Sequence, residues 1–244
     1  MNVTAEVNQG EVPVGAISGK FTINADGDQV YFSQGNLQYI GSASTPYWKF
    51  AENQWDYFGT NQIEGSAVID RDIFGWGTSG WNNGNIYFQP YDIGRFWDSQ
   101  TGYGYGPTDG INYNYDLSGA YSNADWGVYN AILNGGNVPN LWRTLSGNEW
   151  NYIFNTRTTI SGIRYVKAMV NGISGVVVLP DNWNSSIYLL NYTNNPEAPY
   201  AANEIMADDW VTIENCGAVF LPAAGNRWGV NTNGFGDYWT RSCY

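Results

Sequence analysis

The stretch GAVFLPAAGNRWG, residues 217–229, changes character at Pro222. Residues 218–221 are apolar and suit a short buried strand, and Pro222 is expected to end that strand because proline cannot donate a hydrogen bond to a sheet ladder. Gly225 and Gly229 then allow tight backbone turns. The pattern predicts a firmly packed strand that carries the polar and aromatic loop that follows it.

Other segments predict further strands. VVVLPDNW, residues 176–183, repeats the pattern of an apolar run that stops at Leu-Pro. KFTINADGDQVYFSQGNLQYI, residues 20–40, holds two alternating runs of β-branched and aromatic residues around Asp26-Gly27, a pair that accepts the positive φ angles of hairpin turns. YWKFAENQWDYFG, residues 47–59, is also strand-like. The chain is therefore expected to consist mainly of strands and loops.

Three short helices are predicted from capping signals, at about residues 125–134, 147–155 and 207–215. Asp125 is the expected N-cap of the first helix and Gly135 its stop. Ser146 and Glu149 have the spacing of a capping box at the start of the second helix. With the strands, these helices indicate an α+β fold.

Each predicted helix has apolar residues that are expected to face the core. They are Tyr129, Ile132 and Leu133 in the first helix, Trp150, Ile153 and Phe154 in the second, and Trp210 and Ile213 in the third. Asp208 and Asp209 lie in the first turn of the third helix, where negative charge complements the helix dipole. We interpret these two carboxylates as helix-stabilising and not as catalytic.

Composition and charge restrict the partners of this chain. Its 244 residues can bury a substantial core, and the 12 Trp, 19 Tyr and 10 Phe with only 13% charged residues argue against disorder. The net charge of -12 disfavours nucleic acid and anionic membranes, whose binding depends on Lys and Arg. No apolar run approaches the length of about 20 residues that a membrane span needs. We expect no nucleic-acid partner and no membrane insertion.

The chain has no histidine and only two cysteines, Cys216 and Cys243. The missing histidine excludes Ser-His-Asp and Cys-His nucleophile systems and His-ligated metals. The cysteines lack the CxxC spacing of zinc sites, so we expect neither a metal nor another cofactor. The sequence leaves open whether Cys216 and Cys243 form a disulfide. We expect Cys216 to lie at the end of the third helix.

Two regions are predicted in the chain. Residues 1–18, rich in Val, Gly and Pro and without helical period, are interpreted as an N-terminal arm or linker, and residues 19–244 as one domain. Residues 60–123 are rich in Gly, Asn, Tyr and Trp and have little periodicity. So long an irregular segment is typical of a functional region or a packed insertion.

Several short motifs occur in a fixed order along the chain. They are VYFSQGNLQY, FAENQWDYFG, IFGWGTSG, ADWGVYNAILNGG, WRTLSGNEWNYIFNTR, VVVLPDNW, GAVFLPAAGNR and a final YW. Over residues 19–239 the sequence thereby resembles the C-type-lectin-fold variable proteins of gut Bacteroidales and their phages. Members of that group are similar in fold to the phage major tropism determinant and to formylglycine-generating enzymes, and several are targets of diversity-generating retroelements. The resemblance implies a C-type lectin fold that displays a hypervariable C-terminal segment.

The chain also departs from these families. Trp183-Asn184-Ser185 lacks the acidic residue of calcium-dependent sugar sites, so such binding is not implied. Formylglycine-generating enzymes have a close cysteine pair near the C-terminus, whereas here only Cys243 lies there. Relatives often continue past the YW strand into a further strand, while this chain stops at Tyr244. The missing cysteine pair disfavours the enzymatic branch of the fold.

The segment NRWGVNTNGFGDYWTRSCY, residues 226–244, is the predicted ligand-binding site. Its mixture of aromatic and short polar residues is typical of recognition surfaces. The candidate contact residues are Asn226, Trp228, Val230, Asn231, Asn233, Phe235, Asp237, Tyr238, Thr240, Arg241 and Tyr244. We interpret Trp239 as a core residue. Trp228 is equally compatible with a core role and with a ligand contact.

The resemblance also implies which positions vary. Replacement of template adenines turns an Asn codon into any codon ending in C or T, which never encodes Trp, Lys, Glu, Gln or Met. The positions expected to vary are Asn226, Val230, Asn231, Asn233, Phe235, Asp237, Tyr238, Thr240, Arg241, Cys243 and Tyr244. Gly225, Arg227, Gly229 and Trp239 are expected to stay fixed, because special glycine conformations and a buried Trp tolerate little exchange.

These observations favour a non-enzymatic receptor-binding protein or adhesin, located outside the cell on a phage tail or a bacterial surface. Its expected partner is a cell-surface protein or glycan. The sequence leaves open whether the chain forms a homo-oligomer such as a trimer. A carbohydrate-active enzyme is one alternative, with Glu52 and Asp56 or Asp70 and Asp72 as candidate acids. A structural virion or pilus component is the other.

Overall fold

The computed structural model describes residues 1–6, 11–58, 70–81, 116–228, 231–233, 236–238 and 240–242. It shows an α+β fold, as predicted. The strands are β1 (Thr4–Glu6), β2 (Phe21–Thr22), β3 (Gln29–Phe32), β4 (Leu37–Ile40), β5 (Tyr47–Phe50), β6 (Tyr165–Val170), β7 (Ile173–Val178), β8 (Glu204–Ile205), β9 (Val219–Pro222), β10 (Asn226–Trp228) and β11 (Asn231–Asn233). The α-helices are α1 (Trp126–Tyr129), α2 (Gly147–Asn151) and α3 (Ala207–Asn215).

The largest sheet has four strands in the order β8-β6-β7-β9. Strands β6 and β7 form a hairpin around Asn171-Gly172, whose φ angles of 48° and 79° are those of a two-residue turn with both residues left-handed. Strand β9 pairs antiparallel with β7 and ends at Pro222, as predicted, while β8 is parallel to β6. This sheet is the scaffold that precedes the C-terminal segment.

The two faces of this sheet pack against different layers. Val177 and Phe220 face α3, where Trp210 and Ile213 are buried as predicted. On the opposite face, Val219 packs against α2 and against a second sheet of three strands in the order β1-β3-β2. The sheet therefore lies between a helix on one side and a helix with a small sheet on the other.

The N-terminal residues belong to the domain, so the predicted arm over residues 1–18 is wrong for its first part. Strand β1 pairs antiparallel with β3, and Val3 is fully buried. The backbone of Thr4 also exchanges hydrogen bonds with that of Arg143, at 2.8 Å in each direction. Strand β1 has only three residues, which is too few for an alternation of polar and apolar residues to predict this pairing.

The predictions for the second and third helices are confirmed. Helix α2 begins at the expected capping box, in which Ser146 accepts from the Glu149 N–H and the Glu149 carboxylate accepts from the Ser146 N–H. It continues into a π-helical turn, Tyr152–Thr156. Helix α3 ends at Asn215, and Cys216 is its C-cap, at the helix end where it was predicted.

The first helix is shorter than predicted. Asp125 is its N-cap, but α1 ends at Tyr129 because Asn130 is extended and its side-chain amide donates to the Trp126 carbonyl. The chain beyond it forms a bridge with β5, and the Leu133 N–H donates to the Trp48 carbonyl. Tyr129 and Leu133 are 42% and 55% exposed, so the core face predicted for them is wrong.

The Asp26-Gly27 turn is confirmed, and a buried ion pair locks its hairpin to the large sheet. Asp181 accepts from the Thr22 backbone and hydroxyl and from Arg157, whose guanidinium is fully buried. Arg157 also donates to the carbonyls of Ile153, Arg164 and Leu179. Burial lowers the pKa of Arg157, while its hydrogen bond with Asp181 acts in the opposite direction.

Candidate ligand-binding site

The C-terminal strap, which we define as residues 236–238 and 240–242, lies across the scaffold beside α2. Three of its main-chain groups bond to the scaffold. The Trp76 indole N–H donates to the Thr240 carbonyl at 2.8 Å, the Arg241 N–H donates to the Leu145 carbonyl at 2.9 Å, and the Leu117 N–H donates to the Arg241 carbonyl at 2.7 Å. Trp76, Leu117 and Leu145 are all buried. These three bonds do not depend on the side chains of the strap.

The side chain of Tyr238 also anchors the strap. The Tyr238 hydroxyl donates to the Pro222 carbonyl at 2.7 Å, and its ring lies 6.4 Å from the ring of Trp150. Burial raises the pKa of Tyr238 well above its ordinary value, with a smaller contribution from the charge of Asp72. Tyr238 was predicted as a ligand contact, and the structure gives it a packing role.

Arg241 joins a network of charged side chains at the start of α2. Its guanidinium lies 3.6 Å from the Glu149 carboxylate, which also binds Arg143 through two nitrogens at 2.8 and 3.0 Å. Arg143 in turn pairs with Glu6 of β1 at 2.6 Å. The network connects the N-terminal strand, the helix and the strap.

Electrostatics favour the charged form of Glu149. Burial alone would raise its pKa, but hydrogen bonds from Arg143 and from the Ser146 N–H, together with the charges of Arg143 and Arg241, hold the pKa below its ordinary value. Glu149 therefore stays ionised beside the strap. Sequence reasoning identified its capping role and missed this ion-pair role, because Arg143 and Arg241 are distant from one another in the chain.

The remaining predicted contact residues divide into three groups. Asn226 and Trp228 lie in β10, and Asn231 and Asn233 lie in β11, so the structure brings these four positions together in one antiparallel hairpin. Asp237 is exposed, and Thr240 and Arg241 are half-buried. Val230, Phe235 and Tyr244, as well as Gly229, Trp239 and Cys243, lie outside the described residues.

A pocket of about 280 Å³ lies between the strap, α2 with its π-helical turn, and the large sheet. Trp150 and Phe154 stack on one another with ring centroids 5.8 Å apart and line one side of it. Tyr200, Tyr238 and Thr240 also line it. Sequence patterns did not predict this pocket, because its residues come from five separate segments and meet only in the fold.

The candidate acids of the enzyme alternative have local structural partners. Asp56 accepts from the backbone and side chain of Asn53, and Glu52 pairs with Lys49 at 3.7 Å. Asp70 accepts from the backbone and hydroxyl of Ser42. Asp72 is buried and accepts from the Phe58 N–H. These bonds account for each carboxylate as part of a turn or loop.

A buried carboxyl group lies at the N-cap of α1. Asp125 is fully buried and accepts from the N–H groups of Gly127 and Thr144, at 3.1 and 2.8 Å. Burial raises its pKa from 3.8 to about 6, against the opposing effect of these hydrogen bonds. This carboxyl group connects the helix to the segment that leads into α2.

The described ranges of the chain contain no cluster of three or more acidic, Cys or His side chains that would hold a metal ion, and no helix long and apolar enough to cross a bilayer. Cys216 is a half-buried free thiol. The disulfide that the sequence left open between Cys216 and Cys243 involves Cys243, which lies outside the described residues.

No protein-family model, curated protein or solved structure matches this chain.

Proposed function

We propose that this chain is a ligand-binding protein of the receptor-binding or adhesin type. Its contact surface is the segment 226–244, displayed on a scaffold of C-type lectin type and diversified by a retroelement. It acts by binding, without turnover, at the surface of a phage tail or a bacterium, and its partner is a cell-surface protein or glycan.

The observation that carries this proposal is the main-chain attachment of the strap. The three bonds at Thr240 and Arg241 use carbonyl and N–H groups that every residue except proline supplies in full. Side chains at these positions can therefore be exchanged without loss of these three bonds. A binding surface whose residues vary while its backbone stays in place requires this arrangement.

The scaffold beneath the strap supports the same function. Strand β9 is buried along its whole length, and Gly225 after it has a φ of 92°, which strongly favours glycine. Tyr238 packs on Trp150 and bonds to the Pro222 carbonyl, so we now expect Tyr238 to stay constant. The proposal thus assigns variation to the exposed strap positions and constancy to the anchors.

The binding test uses an array of purified cell-surface glycans and extracellular protein domains. For an array component that the protein binds, Asp237→Ala and Arg241→Ala should each weaken binding by at least about tenfold, because residues central to an interface contribute about 1.4 kcal/mol or more. Asp26→Ala, which removes another exposed aspartate in the distant β2–β3 turn, is the matched control and should leave binding unchanged. Equal binding by all three variants would place the site elsewhere.

The diversification test uses the DNA around the gene. We expect an adenine-rich second copy of the segment that encodes residues 226–244, next to a reverse-transcriptase gene. Copies of the gene within one population should differ at the exposed positions and agree at Gly225, Tyr238 and Trp239. A single copy with an identical C-terminus in all siblings would contradict diversification and leave a binder of fixed specificity.

A further inference from the structure

The pocket beneath the strap has the size and shape for one ring. Its volume of about 280 Å³ is below the range of roughly 300–1,000 Å³ typical of sites for drug-sized ligands. The stacked rings of Trp150 and Phe154 line one side, and Val176 and Leu221 of the sheet also contribute to the lining. Such walls fit the flat apolar faces of a single six-membered ring.

The lining of the pocket is uncharged. All eleven residues that form it are apolar, aromatic, glycine or threonine. Lys167 contacts one of the lining residues: its ammonium lies 4.4 Å from the centroid of the Tyr200 ring and donates to the Pro196 carbonyl at 3.2 Å. This cation disfavours a positively charged ligand, and the net charge of -12 disfavours an anionic one. The pocket therefore suits a neutral ligand.

The hydroxyl groups in the lining decide which hydrogen bonds the ligand has to offer. The Tyr238 hydroxyl gives its proton to the Pro222 carbonyl, and the Thr240 hydroxyl gives its proton to the Ser242 carbonyl at 2.8 Å. Each oxygen then has only lone pairs left for a ligand. The Trp150 indole nitrogen is covered from solvent, so it does not serve as a donor in the pocket. A matching ligand must donate hydrogen bonds.

We infer that this pocket binds one neutral pyranose unit of a glycan. A pyranose has apolar C–H faces for the rings of Trp150 and Tyr200 and hydroxyl donors for the oxygens of Tyr238 and Thr240. The inference rests on the proposed binding function and narrows its partner from a protein or glycan to a glycan. An apolar side chain of a protein partner fits less well, because it would cover these two oxygens without donating to their free lone pairs.

The strap and the scaffold contribute different parts of this site. Trp150, Phe154 and Leu221 belong to the scaffold, whereas Gly236, Tyr238 and Thr240 belong to the strap. The ring-binding walls are thus shared by all variants of the strap, while Thr240 changes with it. The scaffold would confer a general preference for sugars and the strap the choice among them.

The test is a titration with methyl pyranosides of neutral hexoses and N-acetylhexosamines, followed through the indole N–H signals of the 12 tryptophans by NMR. The signal lost in Trp150→Phe assigns Trp150. At least one neutral pyranoside should shift that signal, with a dissociation constant on the order of 1 mM, as expected for about a dozen non-hydrogen atoms.

The discriminating variant is the double substitution Tyr238→Phe with Thr240→Val, which keeps the size of both side chains and removes both acceptor oxygens together with their bonds to the Pro222 and Ser242 carbonyls. It should weaken the pyranoside by about tenfold, because two hydrogen bonds of ordinary strength are lost. Tyr129→Phe, which removes a hydroxyl on exposed α1, is the matched control and should bind as wild type does. Thermal midpoints of all variants establish that they are folded.

Cyclohexanol, an apolar ring with one hydroxyl, is the comparison ligand. Tighter binding of cyclohexanol than of every pyranoside, or pyranoside binding that the double variant leaves unchanged, would overturn the inference in favour of an apolar side chain. No pyranoside shift at Trp150 would also overturn it. If pyranosides fail while Asp237→Ala and Arg241→Ala still abolish binding to an array component, the sugar inference fails alone and the binding function stands.

Discussion

Glu149 offers a quantitative test of how the strap and the N-terminal strand are held together. Its side chain is 12% exposed, and it accepts hydrogen bonds from Arg143 at 2.8 and 3.0 Å and from the Ser146 N–H at 2.6 Å. The substitution Glu149→Gln preserves the shape of the side chain and removes its charge. It should therefore weaken the charged contacts to Arg143 and Arg241 while leaving the helix in place.

The expected cost follows from these contacts. Hydrogen bonds that involve a charged group contribute about 1.5–3 kcal/mol, and glutamine preserves only part of them. Glu6, which lies 2.6 Å from Arg143, remains as a partner for that charge, so we expect the loss to stay below the 3–5 kcal/mol typical of a stranded buried charge. We expect a decrease of about 2–3 kcal/mol in the free energy of unfolding. For a chain of this size that corresponds to a fall of roughly 4–12 °C in the thermal midpoint.

Urea denaturation followed by tryptophan fluorescence measures this change. Glu52→Gln is the matched control, because Glu52 pairs with Lys49 at 3.7 Å but its side chain is 74% exposed. Exposed pairs contribute little, so the control should stay within about 0.5 kcal/mol of wild type. Similar free energies of unfolding for the two variants would refute the argument that burial and the Arg143 pair make Glu149 stabilising.

The same pair has a defined pH dependence. The pKa of Glu149 is lowered in the folded state from its ordinary value of 4.5, so its stabilising contribution is fully present above pH 4.5. That contribution is lost as the pH falls through the folded pKa. The difference in stability between wild type and Glu149→Gln should therefore be constant near neutrality and shrink in acid.

Two further predictions concern buried charges away from the strap. Burial raises the pKa of Asp125 from 3.8 to about 6, so its folded form binds the proton more tightly and its contribution to stability is lost as the pH rises through 6. Relative to Asp125→Asn, wild type should lose about 3 kcal/mol of stability between about pH 4 and pH 7 in urea titrations; a constant difference would contradict this. Arg157→Lys should cost about 3 kcal/mol or more by the same method, because lysine cannot reproduce the forked contacts to Asp181 and to three carbonyls; a loss under about 1 kcal/mol would contradict it.

Local sequence signals predicted the elements whose causes are local. The capping box at Ser146 and Glu149 and the Asp26-Gly27 turn each depend on neighbouring residues, and the structure has both. Helix α3 was predicted with its bounds, because its apolar residues recur with the helical period over nine residues. The strand before Pro222 was predicted because proline ends a ladder wherever it occurs.

Tertiary contacts decided the features that local signals did not. Helix α1 ends early because Leu133 bonds to the backbone of β5, which lies more than eighty residues earlier in the chain. Residues 4–6 form strand β1 because they pair with the edge of β3. So short a strand is stabilised by the strand it pairs with and not by its own sequence.

The candidate site divides in the same way. The composition of residues 226–244 alone indicated a recognition surface, since aromatic and short polar residues supply contact area and adaptable hydrogen bonds. Only the fold determined that Tyr238 is an anchor and that Thr240 and Arg241 are held by their main chains. Sequence composition records which chemical groups are available, whereas burial and hydrogen-bond pairing depend on segments that meet only in three dimensions.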